Sequence, residues 1–286
     1  MLPAFGLLID ARGEKAAVPE KRETVTGKTV YQNPKGTVDA SNAAEGYLLV
    51  SYTGGKNVRV KAQVTREKGT AYTYELSNRG AVEILPLTEG SGMYTVRIFE
   101  NIGGSRYATA CSYQLEVSLR HDSLPFLYAN QYVNFTGDGA AAKKAAELAA
   151  GKKSDFDKMS AFYDFVVGGF SYDYELAKTV RSGYLPDVDA VLQRKKGICF
   201  DYAAVMAAML RSQNIPCKLV IGYAGETYHA WLSVYLEGAG WVDKAIYFDG
   251  NVWKRMDPTF ASTGKRSASI NQYIADDANY SQKYVY

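Results

Sequence analysis

Cysteine and histidine are scarce in this 286-residue chain, with three of the first and two of the second. Three cysteines cannot form a disulfide scaffold, and the odd count leaves at least one thiol free. Cys199 and Cys217 stand 18 residues apart with no Cys or His beside them, so metal-ligand spacing is missing and no metal or cofactor is expected. An excess of charge of one sign is also missing. Lys and Arg number 33 against 30 Asp and Glu, and no basic block interleaves with aromatics, so nucleic acid is not an expected partner. Long hydrophobic runs are absent. The opening MLPAFGLLID is briefly apolar, lacks a basic leader and is too short to span a bilayer, so no transmembrane segment is expected. We read the setting as extracellular or cell-surface, although no complete signal peptide is visible. Tyrosine is abundant, at 23 residues against 11 Phe, which suits half-buried strand positions first and hydrated contact surfaces second.

The length suggests two domains. From Tyr47 to Leu119 short alternating segments recur: Val58, Val60, Ala62 and Val64, then Tyr72, Tyr74 and Leu76, then Tyr94, Val96 and Ile98, then Tyr107, Cys111, Tyr113, Leu115 and Val117. TGGKN, SNRG, TEGSG and NIGGS separate them as turns. This pattern predicts an immunoglobulin-like β-sandwich over residues 41–121, with residues 1–40 an N-terminal arm or extra strands. Cys111 is the one cysteine of that segment, which excludes the inter-sheet disulfide. After His121 the period changes. Helices are predicted over 140–150, after Ser154 with Asp157 in a capping arrangement, over 187–195 and over 199–212. Strands follow over 217–223, 228–236, 240–248 and 252–257. Residues 122–286 therefore read as an α+β domain, a core helix packed on an antiparallel sheet.

Three residues carry candidate chemistry. Cys199 follows Lys195, Lys196 and Gly197 where the 199–212 helix begins. There a thiol meets backbone N–H groups and the positive end of the helix dipole, both of which favour thiolate. Its own N–H is placed to receive an oxyanion. His229, in YHAW, starts a strand, and Asp257, before Pro258, ends one. Each alone reads more readily as structural. Together they supply the nucleophile, base and orienting carboxylate of thiol-based acyl chemistry, and only folding brings them together, because 30 and 28 residues separate them. Asp173, Glu175, Asp187 and Asp189 lack the 12-residue calcium-loop pattern and read as a solvated rim.

GICFDYA at 197–203, MLRSQNIPCKLVIGY at 209–223, HAW at 229–231 and GW at 240–241 leading to DPT at 257–259 resemble the transglutaminase-like superfamily of papain-like thiol enzymes, bacterial-type. The resemblance covers residues 125–265, and its motifs are specific in this order. It implies a nucleophile at Cys199, a base at His229 and an orienting aspartate at Asp257. It also implies a side-chain donor to the oxyanion, for which Tyr172 in FSYDYE is preferred and Gln193, on an exposed helix face, is the alternative. Trp231 and Trp241 are expected to wall the cleft. The expected activity is attack on an amide, with a protein or peptide substrate, cell-wall peptides included. Hydrolysis, as in a peptidase or amidase, is favoured over glutamine acyl transfer and cross-linking. A catalytically inactive binding or scaffold module is the reading from another class.

Overall fold

Alternation in residues 30–117 produces two facing sheets in the computed structural model, which describes residues 27–224, 226–248, 253–255 and 280–286. In chain order the strands are β1 (Val30–Asn33), β2 (Gly36–Asp39), β3 (Tyr47–Tyr52), β4 (Val60–Arg66), β5 (Ala71–Leu76), β6 (Glu83–Pro86), β7 (Gly92–Gly103) and β8 (Arg106–Val117). One sheet runs β1-β2-β3-β6 and the other β5-β4-β7-β8. Register pairs Val64 with both Val96 and Tyr72, and Ala62 with both Ile98 and Tyr74. The inward set Val60, Ala62, Val64, Tyr72, Tyr74, Tyr94, Val96 and Ile98 therefore meets Val38, Leu48, Val50 and Tyr52 in one buried cluster. Each fully buried Leu or Val in such a core contributes about 1.5–3 kcal/mol. Tyr94 closes the corner before β7 by donating its hydroxyl to the Gly90 carbonyl at 2.7 Å, a device of immunoglobulin-type sandwiches. β1 and β2 lie in the stretch expected as an arm or extra strands, and they join the first sheet.

All six residues of β3 are buried because both its faces are covered. Leu48 and Val50 face the sandwich core, while Tyr47 and Leu49 pack with Val82, Ile84 and Tyr128. Tyr128 belongs to the segment leading into the α+β unit, so the units share a packed seam. Tyrosines occupy much of it: Tyr132 stacks on Tyr286 at 3.7 Å, and Tyr72 and Tyr74 present edges to Tyr286. Gln131 Oε1 accepts the Glu75 N–H at 3.1 Å, and its Nε2 donates back to the Glu75 carbonyl. The abundance of tyrosine thus serves packing between units as well as strand faces.

The second unit contains α1 (Ala140–Ala149), α2 (Asp155–Gly169), β9 (Ser171–Tyr172), α3 (Tyr174–Thr179), α4 (Val188–Arg194), β10 (Lys196–Gly197) and α5 (Cys199–Ser212). A sheet of β11 (Cys217–Ala224), β12 (Thr227–Leu236), β13 (Gly240–Phe248), β14 (Trp253–Arg255) and β15 (Tyr280–Val285) follows, in the order β14-β13-β12-β11-β15. Residues Asp201 to Arg211 of α5 are all buried, and Ala203, Ala204, Ala207 and Ala208 let neighbouring elements approach closely. The helices start where sequence chemistry provides caps. Ser154 Oγ accepts the Asp157 N–H at 3.1 Å, and Asp173 and Asp187 accept from Leu176 and Ala190 at 3.0 Å each. Asp189 accepts the Ala140 and Ala141 N–H groups. Three of the four carboxylates weighed as a rim are therefore helix caps.

Candidate active site

A parallel pairing of two-residue strands places the site. α4 ends with Lys195 in the left-handed region at φ 49°, which turns the chain into β10. β10 then lies beside β9, with Gly197 opposite Tyr172. The Ser171 N–H donates to the Lys195 carbonyl and the Asp173 N–H to the Gly197 carbonyl, both at 2.9 Å. Two residues later α5 begins at Cys199. Asp201, in the first turn of α5, accepts the Ile198 N–H at 2.9 Å, the reach-back half of a capping box. Position 197 must be glycine, because a Cβ there would stand 2.6 Å from the Asp201 Cβ.

Tyr172 and Cys199 are brought together. The Tyr172 phenol is pushed up to about 12, first by burial and then by the neighbouring Cys199 thiol. A hydrogen bond with the Cys199 backbone acts in the opposite direction, which identifies the N–H as donor to the phenol oxygen. Burial also pushes the Cys199 thiol up; backbone N–H groups of Ala230 and Phe200 pull it down, and the Asp201 charge opposes them. Burial thus acts against the thiolate that the helix terminus favours. Withdrawal from water outweighs the terminus, and Asp201 competes for the same positive end of the helix.

The Ala230 contact links α5 to β12 one residue from His229. It occurs before the register of β12 with β13 begins at Leu232, where β11 pairs Gly222 with His229. Gly222 is required by β15, since a Cβ there would lie 2.0 Å from the Ser281 main-chain oxygen. His229 is half-buried, and burial lowers its pKa, so the imidazole is neutral at neutral pH. Ala230, Leu232 and Val234 join the core around α5.

The remaining sequence candidates separate. Trp231 is buried with Phe126, Val220 and Val285, and Trp241 packs on them with its ring 5.3 Å from Phe126 and Lys218 Nζ 4.0 Å above it. Gln193 is exposed on α4. Asp257 lies outside the described residues. Sequence reasoning missed Asp201, fully buried and bonded to Tyr184, although its place three residues after Ile198 has capping-box spacing.

Residues 142–258 match the transglutaminase-like superfamily. YebA, an uncharacterized protein of Bacillus subtilis (strain 168), is 26% identical over 225 residues, which cover 69% of this chain and 28% of YebA. The kyphoscoliosis peptidase of Mus musculus is 30% identical over 97 residues, covering 30% of this chain and 14% of the peptidase. A protein-glutamine gamma-glutamyltransferase of Pseudomonas aeruginosa is 26% identical over 107 residues, covering 32% of this chain and 14% of the transferase. The chain thus aligns with at most 28% of the length of these three relatives.

Proposed function

We propose that this chain, whose residues 142–258 belong to the transglutaminase-like superfamily, is a thiol-dependent acyl enzyme that acts on amide bonds of protein or peptide substrates. The observation that carries this reading is the convergence on the Cys199 thiol of the Tyr172 hydroxyl and the Ala230 N–H, next in the chain to His229. Cys199 Sγ attacks the substrate carbonyl while its proton passes to the neutral His229 imidazole. The carbonyl oxygen becomes an oxyanion, which takes the Cys199 N–H over from the Tyr172 oxygen and accepts the Tyr172 hydroxyl. Collapse expels the amine, which takes the proton from His229, and leaves a thioester on Cys199. Water, deprotonated by His229, resolves the thioester to a carboxylic acid and the free thiol. Asp257 orients the imidazole.

A neutral thiol–imidazole pair suits this scheme, because the proton leaves only as the carbon–sulfur bond forms. Resolution by a primary amine instead of water makes the same site an acyltransferase; the relatives include both a peptidase and a glutamyltransferase. We favour hydrolysis. The sandwich, with its Tyr94 corner, serves as an immunoglobulin-like module that presents the catalytic unit to a polymeric substrate. Mass spectrometry of peptides incubated with and without a primary amine, with Cys199→Ala as the blank, separates the outcomes. Cleavage or deamidation that survives added amine supports hydrolysis. Amine-sized mass gain supports transfer. No Cys199-dependent change in any peptide leaves a binding module as the better account.

A further inference from the structure

The acyl mechanism leaves unused a carboxylate at the nucleophile's turn. Asp201 has 0% of its surface exposed. Its Oδ2 accepts the Ile198 N–H at 2.9 Å and its Oδ1 accepts the Tyr184 hydroxyl at 2.6 Å. Arg194 Nη2 stands 3.8 Å from Oδ2, while Arg194 Nε donates to the Lys196 carbonyl at 2.7 Å. Contacts from α4, the turn that leads into α5 and the 180–187 segment therefore converge on one side chain. A carboxylate withdrawn from water is costly unless it is paired and hydrogen-bonded, so its partners show what it holds. One of them, Ile198, lies in the turn itself, and a second, Arg194, also bonds the Lys196 carbonyl of that turn. That turn ends at the Cys199 N–H, and its β10 strand fixes Tyr172 through β9. Gly197, where a Cβ would collide with Asp201, allows the close fit.

We propose that Asp201, tied to Tyr184 and Arg194, is the positioning residue of the oxyanion site: it fixes the 195–199 turn so that the Cys199 N–H and the Tyr172 hydroxyl converge on the carbonyl oxygen. The inference rests on Cys199 being the nucleophile. Asp201 acts through its neighbours and not by touching the substrate. Its charge also opposes thiolate formation at Cys199, so removing it changes two properties of the site in opposite directions.

Two reactions of the same thiol test this. Alkylation by iodoacetamide needs a nucleophilic sulfur but forms no oxyanion, whereas acylation by p-nitrophenyl acetate passes through one. Rates are read at Cys199 by peptide mass spectrometry and from the p-nitrophenolate burst. Tyr184→Phe removes a single oxygen. It is expected to slow acylation about tenfold and leave alkylation within about twofold of wild type. Asp201→Asn is expected to slow acylation further while alkylation equals or exceeds wild type. Melting temperatures establish that each variant is folded. If Asp201→Asn fails to fold, Tyr184→Phe alone decides. Acylation unchanged in Tyr184→Phe, or both reactions falling in proportion, overturns the inference and leaves the proposed function standing. A wild-type thiol that alkylates but is never acylated overturns both.

Discussion

Arg211, at the far end of the helix that carries Cys199, offers a quantitative test of how that helix is held. Its guanidinium is fully buried and donates to three main-chain oxygens. Nε and Nη2 reach the Cys217 carbonyl at 3.0 and 2.7 Å, Nη1 reaches Tyr128 at 2.7 Å, and Nη2 reaches Tyr286 at 2.7 Å. Burial lowers its pKa to about 10, so it stays charged at neutral pH. Arg211→Met keeps the stem and removes every donor. The Tyr286 oxygen retains the Leu219 N–H at 2.9 Å, which leaves the Cys217 and Tyr128 carbonyls without this partner. An orphaned buried carbonyl costs about 1–3 kcal/mol, so the pair costs about 2–6 kcal/mol. Relief of guanidinium desolvation offsets part of this, and a net loss of ~3 kcal/mol is expected. That is a large share of the ~5–15 kcal/mol typical of a folded domain. Urea unfolding followed by tryptophan fluorescence should show a lower midpoint at unchanged slope. Arg211→Lys, with a compact ammonium in place of the fork, should recover only part of the loss. Arg211→Met within about 0.5 kcal/mol of wild type would refute the reasoning, since surface changes commonly fall in that range.

The sandwich has its own pH-sensitive contact. The Tyr52 hydroxyl bond, then Lys56 and Lys35, hold the Glu100 carboxyl down at about 2 from its usual 4.5, so its contribution is full above pH 4.5 and is lost as pH falls through 2. Glu100→Gln should flatten melting temperature against pH in that window, and an unchanged slope contradicts the assignment. Gly197→Ala should slow p-nitrophenyl acetate turnover and destabilise the fold by about 1–3 kcal/mol, since the new methyl collides with Asp201; a neutral outcome in both contradicts the packing. Burial lowers His229, so the acid limb of kcat/KM should lie below 6.5, the value of an ordinary histidine. A limb at or above 6.5 would require a charge partner that outweighs burial.

The fold was readable wherever one periodicity governed a segment. Val60, Ala62 and Val64 alternate strictly with charged or polar neighbours, and they are the buried face of β4. The nearly uncharged stretch from Cys199 to Ser212 is the buried helix α5. Elements held by long-range pairing were not readable. β9 and β10 are two residues each and exist only because they lie beside one another. β15 comes from YSQKYV, which lacks an apolar alternation and is held in place by β11 across Gly222. The site divides the same way. Cys199 and Tyr172 were legible as residue types in motifs, and their juxtaposition comes from the β9–β10 ladder. The burial that raises the Cys199 thiol depends on what packs over the helix start, which the local sequence does not show. Trp231 and Trp241, expected at a cleft, pack beside Phe126.

The central claim is that Cys199 carries the acyl group, and trapping that intermediate tests it most directly. The protein is mixed with p-nitrophenyl acetate, quenched in acid within the burst, digested and analysed by mass spectrometry. The account predicts one acetyl thioester on the peptide containing Cys199, released by hydroxylamine and absent in Cys199→Ala. It further predicts that His229→Ala accumulates the adduct far more slowly. Acetylation only at Cys111, Cys217 or lysines, or a Cys199 adduct formed at the same rate without His229, would contradict it.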